Sequence, residues 1–131
     1  MTDDEELKSL IKQLPRLNFT HELYTFNSPR RENGVIFVGS YNFSDELSNW
    51  LYKFNELNLL DKNYLANNKI ITNAKYDKKT NSPIYNELTL SEIITIFTWL
   101  INSDRLCDGA IATYIESGKF EKLYKTMYER I

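Results

Sequence analysis

The sequence predicts a mainly α fold: a single compact domain, residues 1–131, of five or six helices, with room for one small two-stranded β ribbon. Three observations carry that expectation. Residues 88–131 are apolar at helical spacing with few interruptions. Residues 3–14 and 44–57 each place apolar side chains on one helical face. One run alone, Val35, Ile36, Phe37 and Val38 between Gly34 and Gly39, reads as a strand.

The first helix is expected over residues 3–14. Acidic residues crowd its first turn, where they complement the helix dipole. Leu7, Leu10, Ile11 and Leu14 form its stripe, and Pro15 ends it by disfavouring helical geometry at Leu14. The stripe docks on the domain core, or alternatively covers a second copy. Residues 16–31 are ambiguous; Phe19, Leu23 and Phe26 fit one face of a short helix. Residues 28–34 hold turn formers and read as a loop. The strand 35–38 needs a partner, and Ile70, Ile71 and Thr72 supply the best candidate. Ser44 opens a second helix bearing Leu47, Trp50, Leu51, Phe54 and Leu57, closed near Asn58. Asp61 caps a short third helix through Tyr64 and Leu65 that stops at Asn67 and Asn68. Residues 75–83 are polar and read as an exposed loop.

Thr89 and Glu92 stand at capping-box spacing, so a helix starts there. Ile93, Ile94, Ile96, Phe97, Trp99, Leu100 and Ile101 then point almost all round it, the mark of a buried helix. Residues 102–106 turn the chain. A helix follows from Asp108 and Gly109, ended by Gly118 in a left-handed C-cap. The last helix shows Phe120, Leu123, Tyr124, Met127 and Ile131 on one face. Glu121 with Lys125, and Lys125 with Glu129, are i, i+4 pairs on the other.

Composition narrows the function. The chain is 42% hydrophobic and 26% charged, and 16 Lys and Arg against 18 Asp and Glu give a net charge of -2. That balance lacks the basic footprint of a duplex-DNA binder. No apolar run is long enough to span a membrane. The acidic N-terminus is unlike a secretory signal, and a lone cysteine, Cys107, suits a reducing compartment. The expected location is cytoplasmic. One His and one Cys exclude a structural zinc site, no phosphate-binding glycine motif occurs, and no cofactor is expected.

Five residues are the candidate binding set: Arg30, Arg31, Arg105, Asp108 and Tyr76. Paired guanidinium groups at Arg30 and Arg31 suit a phosphate or carboxylate, although such pairs are often simply solvated. Arg105 presents a similar fork to an anion, or else fixes a corner by pairing with Asp104 or Asp108. Tyr76, among Lys75, Lys78 and Lys79, offers a stacking face beside positive charge. Cys107 reads as a buried, inert thiol. Were the protein an enzyme, His21 would be the base, Asp108 its acid partner and Arg105 the anion stabiliser; no catalytic residue is assigned.

The segment Arg105, Leu106, Cys107, Asp108, Gly109 resembles an Arg-Phe-Cys-x-Gly motif in a family of small bacterial and phage proteins known as a domain of unknown function. Arg105, Cys107, Gly109, Gly118 and Leu123 match it; Leu106 stands where Phe is usual. Tyr41, Trp50, Phe54, Asp61 and Tyr64 fill a similar upstream pattern. The resemblance implies a bacterial or phage origin and no particular activity. Together with the small size and nine tyrosines, which favour binding surfaces, it leads to the expectation of a non-enzymatic protein that acts through a protein partner, such as a phage or mobile-element anti-defence factor. The alternative is a small-molecule or nucleotide binder using arginine and aromatic side chains. A homodimer is compatible with either.

Overall fold

The computed structural model describes residues 3–37, 39–106 and 109–131. Among them six helices carry the fold: α1 Asp3–Ile11, α2 Asp45–Glu56, α3 Tyr64–Ala74, α4 Leu90–Leu106, α5 Ala110–Glu116 and α6 Lys119–Glu129. Six short strands pair antiparallel, two by two: β1 Tyr24–Asn27 with β4 Ser40–Phe43, β2 Arg30–Glu32 with β3 Val35–Phe37, and β5 Tyr76–Asp77 with β6 Ser82–Pro83. The mainly α domain is as expected, with three ribbons instead of one.

Helix α4 is the centre. Ile93, Ile94, Ile96, Phe97 and Leu100 are all buried, and α3, α5 and α6 pack around it. Its start is the capping box: Thr89 Oγ1 accepts the Glu92 N–H at 3.2 Å, and Glu92 Oε1 accepts the Thr89 N–H at 2.9 Å. Lys75 Nζ reaches the same Oε1 at 2.7 Å and ties the end of α3 to this cap. Burial opposes ionisation of Glu92, but its bonds from Lys75 and Thr89 and the Lys75 charge outweigh that and hold the carboxyl below the usual range. Thr89→Ala is expected to cost about 1 kcal/mol, read as a lower urea midpoint at unchanged slope.

The two chain ends clasp each other. Helix α1 stops earlier than residue 14. Gln13 and Leu14 donate to Leu10 and Ile11 in a tightened last turn, because Pro15 denies Leu14 helical geometry. The Leu17 N–H then donates to Tyr124 Oη at 2.9 Å, and the Arg16 guanidinium lies 3.8 Å over the Tyr128 ring. Helix α6 buries Phe120, Leu123, Tyr124 and Met127 as its spacing foretold. Glu121 and Lys125 pair at 3.1 Å; no bridge joins Lys125 to Glu129 among the described residues. Past α6, Arg130 donates to the Leu88, Tyr85 and Asn86 carbonyls and fixes the 3-10 turn Tyr85–Glu87.

Four expectations are corrected. Ile70, Ile71 and Thr72 belong to α3, not to a strand: Ile71 is buried against α4, and that packing overrides β propensity. Asn67 does not end that helix; its amide donates to Asp61 Oδ2 at 2.9 Å, which secures the first turn. Residues 24–27 form a strand and not a helix, since Tyr24, Thr25 and Phe26 find a ladder partner in β4. Finally, α4 runs on through residues 102–106. Asn102 donates to Thr98 O at 2.9 Å, and Asp104 Oδ1 accepts the Ile111 N–H at 3.0 Å, capping α5 from the preceding helix. Val38, Cys107 and Asp108 lie outside the described residues.

Candidate functional site

Asn33 and Gly34 organise the first candidate. Both have positive φ, +51° and +78°, as a two-residue type I′ hairpin turn requires. The turn joins β2 to β3, pairing Arg30 with Phe37, Arg31 with Ile36 and Glu32 with Val35. The register continues that of β1 and β4, where Tyr24 pairs with Phe43 and Asn27 with Ser40. The two ribbons therefore share one register and form a two-stranded arm, its ladder interrupted near Pro29, which has no N–H to give.

The base of the arm is anchored. The Phe26 and Tyr41 rings meet across the strands at 4.8 Å. A Cβ at Gly39 would come within 2.9 Å of the Phe26 ring, so glycine lets that ring lie on the backbone. The Tyr41 ring lies as closely on Gly109, 2.7 Å from where a Cβ would stand, and joins the arm to the start of α5. The tip is bare. Every residue from Arg30 to Ile36 is exposed, including Val35 at 55% and Ile36 at 64%. Among the described side chains of β2 and β3 exposure does not alternate, and none of them is buried against the domain. A lone two-stranded ribbon is marginal in water, and both its edges present unpaired backbone groups.

A second feature is a cleft of about 210 Å³ among α3, α4, α5 and the β5–β6 ribbon. Ile71, Ile96 and Pro83 are its buried floor, while Tyr76, Trp99 and Tyr114 are half-buried walls. Trp99 and Tyr114 stand 6.4 Å apart at 59°. Tyr76 Oη donates to Asn81 O at 2.8 Å, and Lys119 Nζ to the same oxygen at 2.7 Å. Burial, then the neighbouring Tyr76 and Tyr85, push the Tyr114 hydroxyl well above its ordinary pKa; burial also raises Tyr76. Both tyrosines are neutral at physiological pH.

The residues nominated from sequence are not gathered in one place. Tyr76 lines this cleft. Arg105, exposed at the end of α4, lines a different one with Asp104, Tyr52 and Ile111, and no ion pair joins it to Asp104 among the described residues. Arg30 and Arg31 stand on the tip of the arm, Arg30 3.2 Å from Glu32. His21 is exposed beside a third depression with Glu22, Tyr24 and Ile115, distinct from the one that Arg105 lines. Asp108 lies outside the described residues. Among those described, no group of three or more His, Cys, Asp or Glu is placed to hold a metal, and no helix is long and apolar enough to cross a membrane.

The model of a family of unknown function, DUF6508, matches residues 2–130. The chain belongs to that family. No curated protein and no solved structure matches it. Membership spans nearly the whole DUF6508 chain and reaches further than the resemblance at residues 41–123. The bare hairpin and the Trp99 cleft were both missed from sequence. Asn33-Gly34 was the available signal for the first, a dipeptide that marks hairpins when apolar residues flank it. Nothing local signals the second, whose walls come from three separated segments.

Proposed function

We propose that this DUF6508 protein is a non-enzymatic binding protein that engages a protein partner through the tip of its arm. The bare tip carries the reading: a preformed ribbon with open edges and exposed Val35 and Ile36, beside Arg31. An open strand edge offers main-chain hydrogen bonds to an added strand, and side chains alongside supply specificity. Arginine and apolar groups together suit the centre of a binding surface. The single cysteine supports a reducing, cytoplasmic setting. The similarity of Arg105, Cys107 and Gly109 to a bacterial and phage motif supports a host-cell protein as the partner of a phage or mobile-element factor.

The test is capture of a stoichiometric partner from bacterial lysate by the intact chain, repeated with Ile36→Asp. Both side chains at this position are solvent-facing, so the melting temperature should move by less than about 2 °C. Binding is expected to fall at least tenfold, because an apolar contact would be replaced by a carboxylate that has to lose its hydration. A partner held equally well by Ile36→Asp would overturn the assignment to the tip. Absence of any stoichiometric partner, with a concentration-dependent dimer that Ile36→Asp dissolves, would replace the foreign protein by a second copy.

A further inference from the structure

We propose that the cleft walled by Tyr76, Trp99 and Tyr114 binds an uncharged planar heteroaromatic ring, the chemical class of a free nucleobase. The inference is independent of the arm.

Shape comes first. The volume of about 210 Å³ lies below the roughly 300–1,000 Å³ of sites for drug-sized ligands, which limits the occupant to a single or fused ring. Trp99 and Tyr114, 6.4 Å apart and inclined at 59°, make a corner and not a parallel slot. A flat ring laid on one therefore meets the other edge-on, the two arrangements that aromatic quadrupoles favour. Ile71, Ile96 and Pro83 give an apolar floor for its lower edge.

Charge comes second. None of the described residues lining the cleft is Asp, Glu, Lys or Arg, and its tyrosines stay protonated. A charged ligand would lose hydration with nothing to replace it. Lys119, beside the cleft, is spent on Asn81 O and sits 5.6 Å from the Tyr114 ring. Polar complementarity comes third. Asn68 and Asn81 are among the lining residues, and their side-chain amides have no hydrogen bond to any described residue. Each offers a donor and an acceptor, which is what the edge of a nucleobase requires and what a hydrocarbon ring cannot use. The exposed Asn81 and Thr72 mark the entrance.

The experiment titrates adenine, and cyclohexanol as a similar-sized ring without a π face, into the full chain. The indole N–H resonance of Trp99 is the readout, with the buried Trp50 as an internal reference. Adenine is expected to shift the Trp99 signal saturably and leave Trp50 in place. Two variants follow, with adenine binding read by calorimetry because the first removes the reporter: Trp99→Leu removes a wall, and Thr72→Trp fills the entrance from an exposed position without touching the core. Each is expected to weaken adenine at least tenfold, and Thr72→Trp does so in a chain that melts normally. No saturable Trp99 shift up to the solubility of adenine would overturn the proposal. So would cyclohexanol binding as tightly, or adenine binding undiminished in Thr72→Trp.

Discussion

Trp50→Ala should cost about 3–5 kcal/mol, the largest effect expected from any single truncation in this chain. Trp50 is fully buried on α2, and four aromatic rings surround it: Phe54 and Phe97 at 5.3 Å, Phe120 at 5.7 Å and Tyr124 at 6.2 Å. These come from α2, α4 and α6, so one side chain joins three helices. Aromatic pairs at such spacings add about 0.5–1.5 kcal/mol each beyond area burial, and a cavity in a ring of rigid neighbours cannot easily collapse. Domains of this size have about 5–15 kcal/mol in total, so the variant would keep a small folded margin or none. Urea unfolding followed by circular dichroism measures it. Trp50→Phe is the control: it keeps the ring and should retain most of the stability. Equal losses in the two variants would mean that ring packing is not what holds α2 to α4 and α6.

How much of this was legible in the sequence depended on the range over which each signal acts. The capping box at Thr89 and Glu92, the apolar circumference of α4, the face of α6 and the left-handed Gly118 at φ +80° are local patterns, and each appears where it was expected. Ile70 and Ile71 were misread because two β-branched residues in a row carry the same local signal in a strand and in a buried helix turn. Only α4 packed against Ile71 decides between them. Asp104 shows the opposite case. A polar residue past an apolar helix looks like a place to stop, but its carboxylate is used seven residues on, at Ile111, so the helix continues to present it. The cleft is illegible for a similar reason. Asn68, Tyr76, Trp99 and Tyr114 have no common spacing and are neighbours only after α3, α4 and α5 have packed.

Asp61→Ala is expected to cost about 2–3 kcal/mol, from charge-assisted hydrogen bonds worth about 1.5–3 kcal/mol at such sites, and to make the chain less sensitive to acid. Asp61 precedes α3 and accepts three bonds: the Asn63 N–H at 2.9 Å, the Asn67 amide at 2.9 Å and Thr95 Oγ1 at 2.7 Å. Its own N–H donates to Thr98 Oγ1 at 3.0 Å. Thr95 and Thr98 lie on α4 at 2% and 1% exposure, so this carboxylate ties the start of α3 to the central helix. Partial burial opposes its ionisation, but the bonds from Asn67, Thr95 and Asn63 prevail, and the folded pKa lies below the ordinary value. A depressed carboxyl pKa adds stability above the unfolded pKa, about 3.9, and that contribution is lost as pH falls through the lower folded value. The stability difference between the wild type and Asp61→Asn should therefore be constant near neutral pH and shrink progressively below about pH 4. Glu92, whose carboxyl is also held low, is present in both proteins and cancels in that difference. Asp61→Asn also separates charge from shape. Its amide nitrogen cannot accept, so at least one donor among Asn67, Thr95 and Asn63 loses its partner, and the variant should fall between the wild type and Asp61→Ala. A wild-type-minus-Asn difference that stays flat down to pH 2 would show that the carboxylate charge contributes nothing to the joint between α3 and α4.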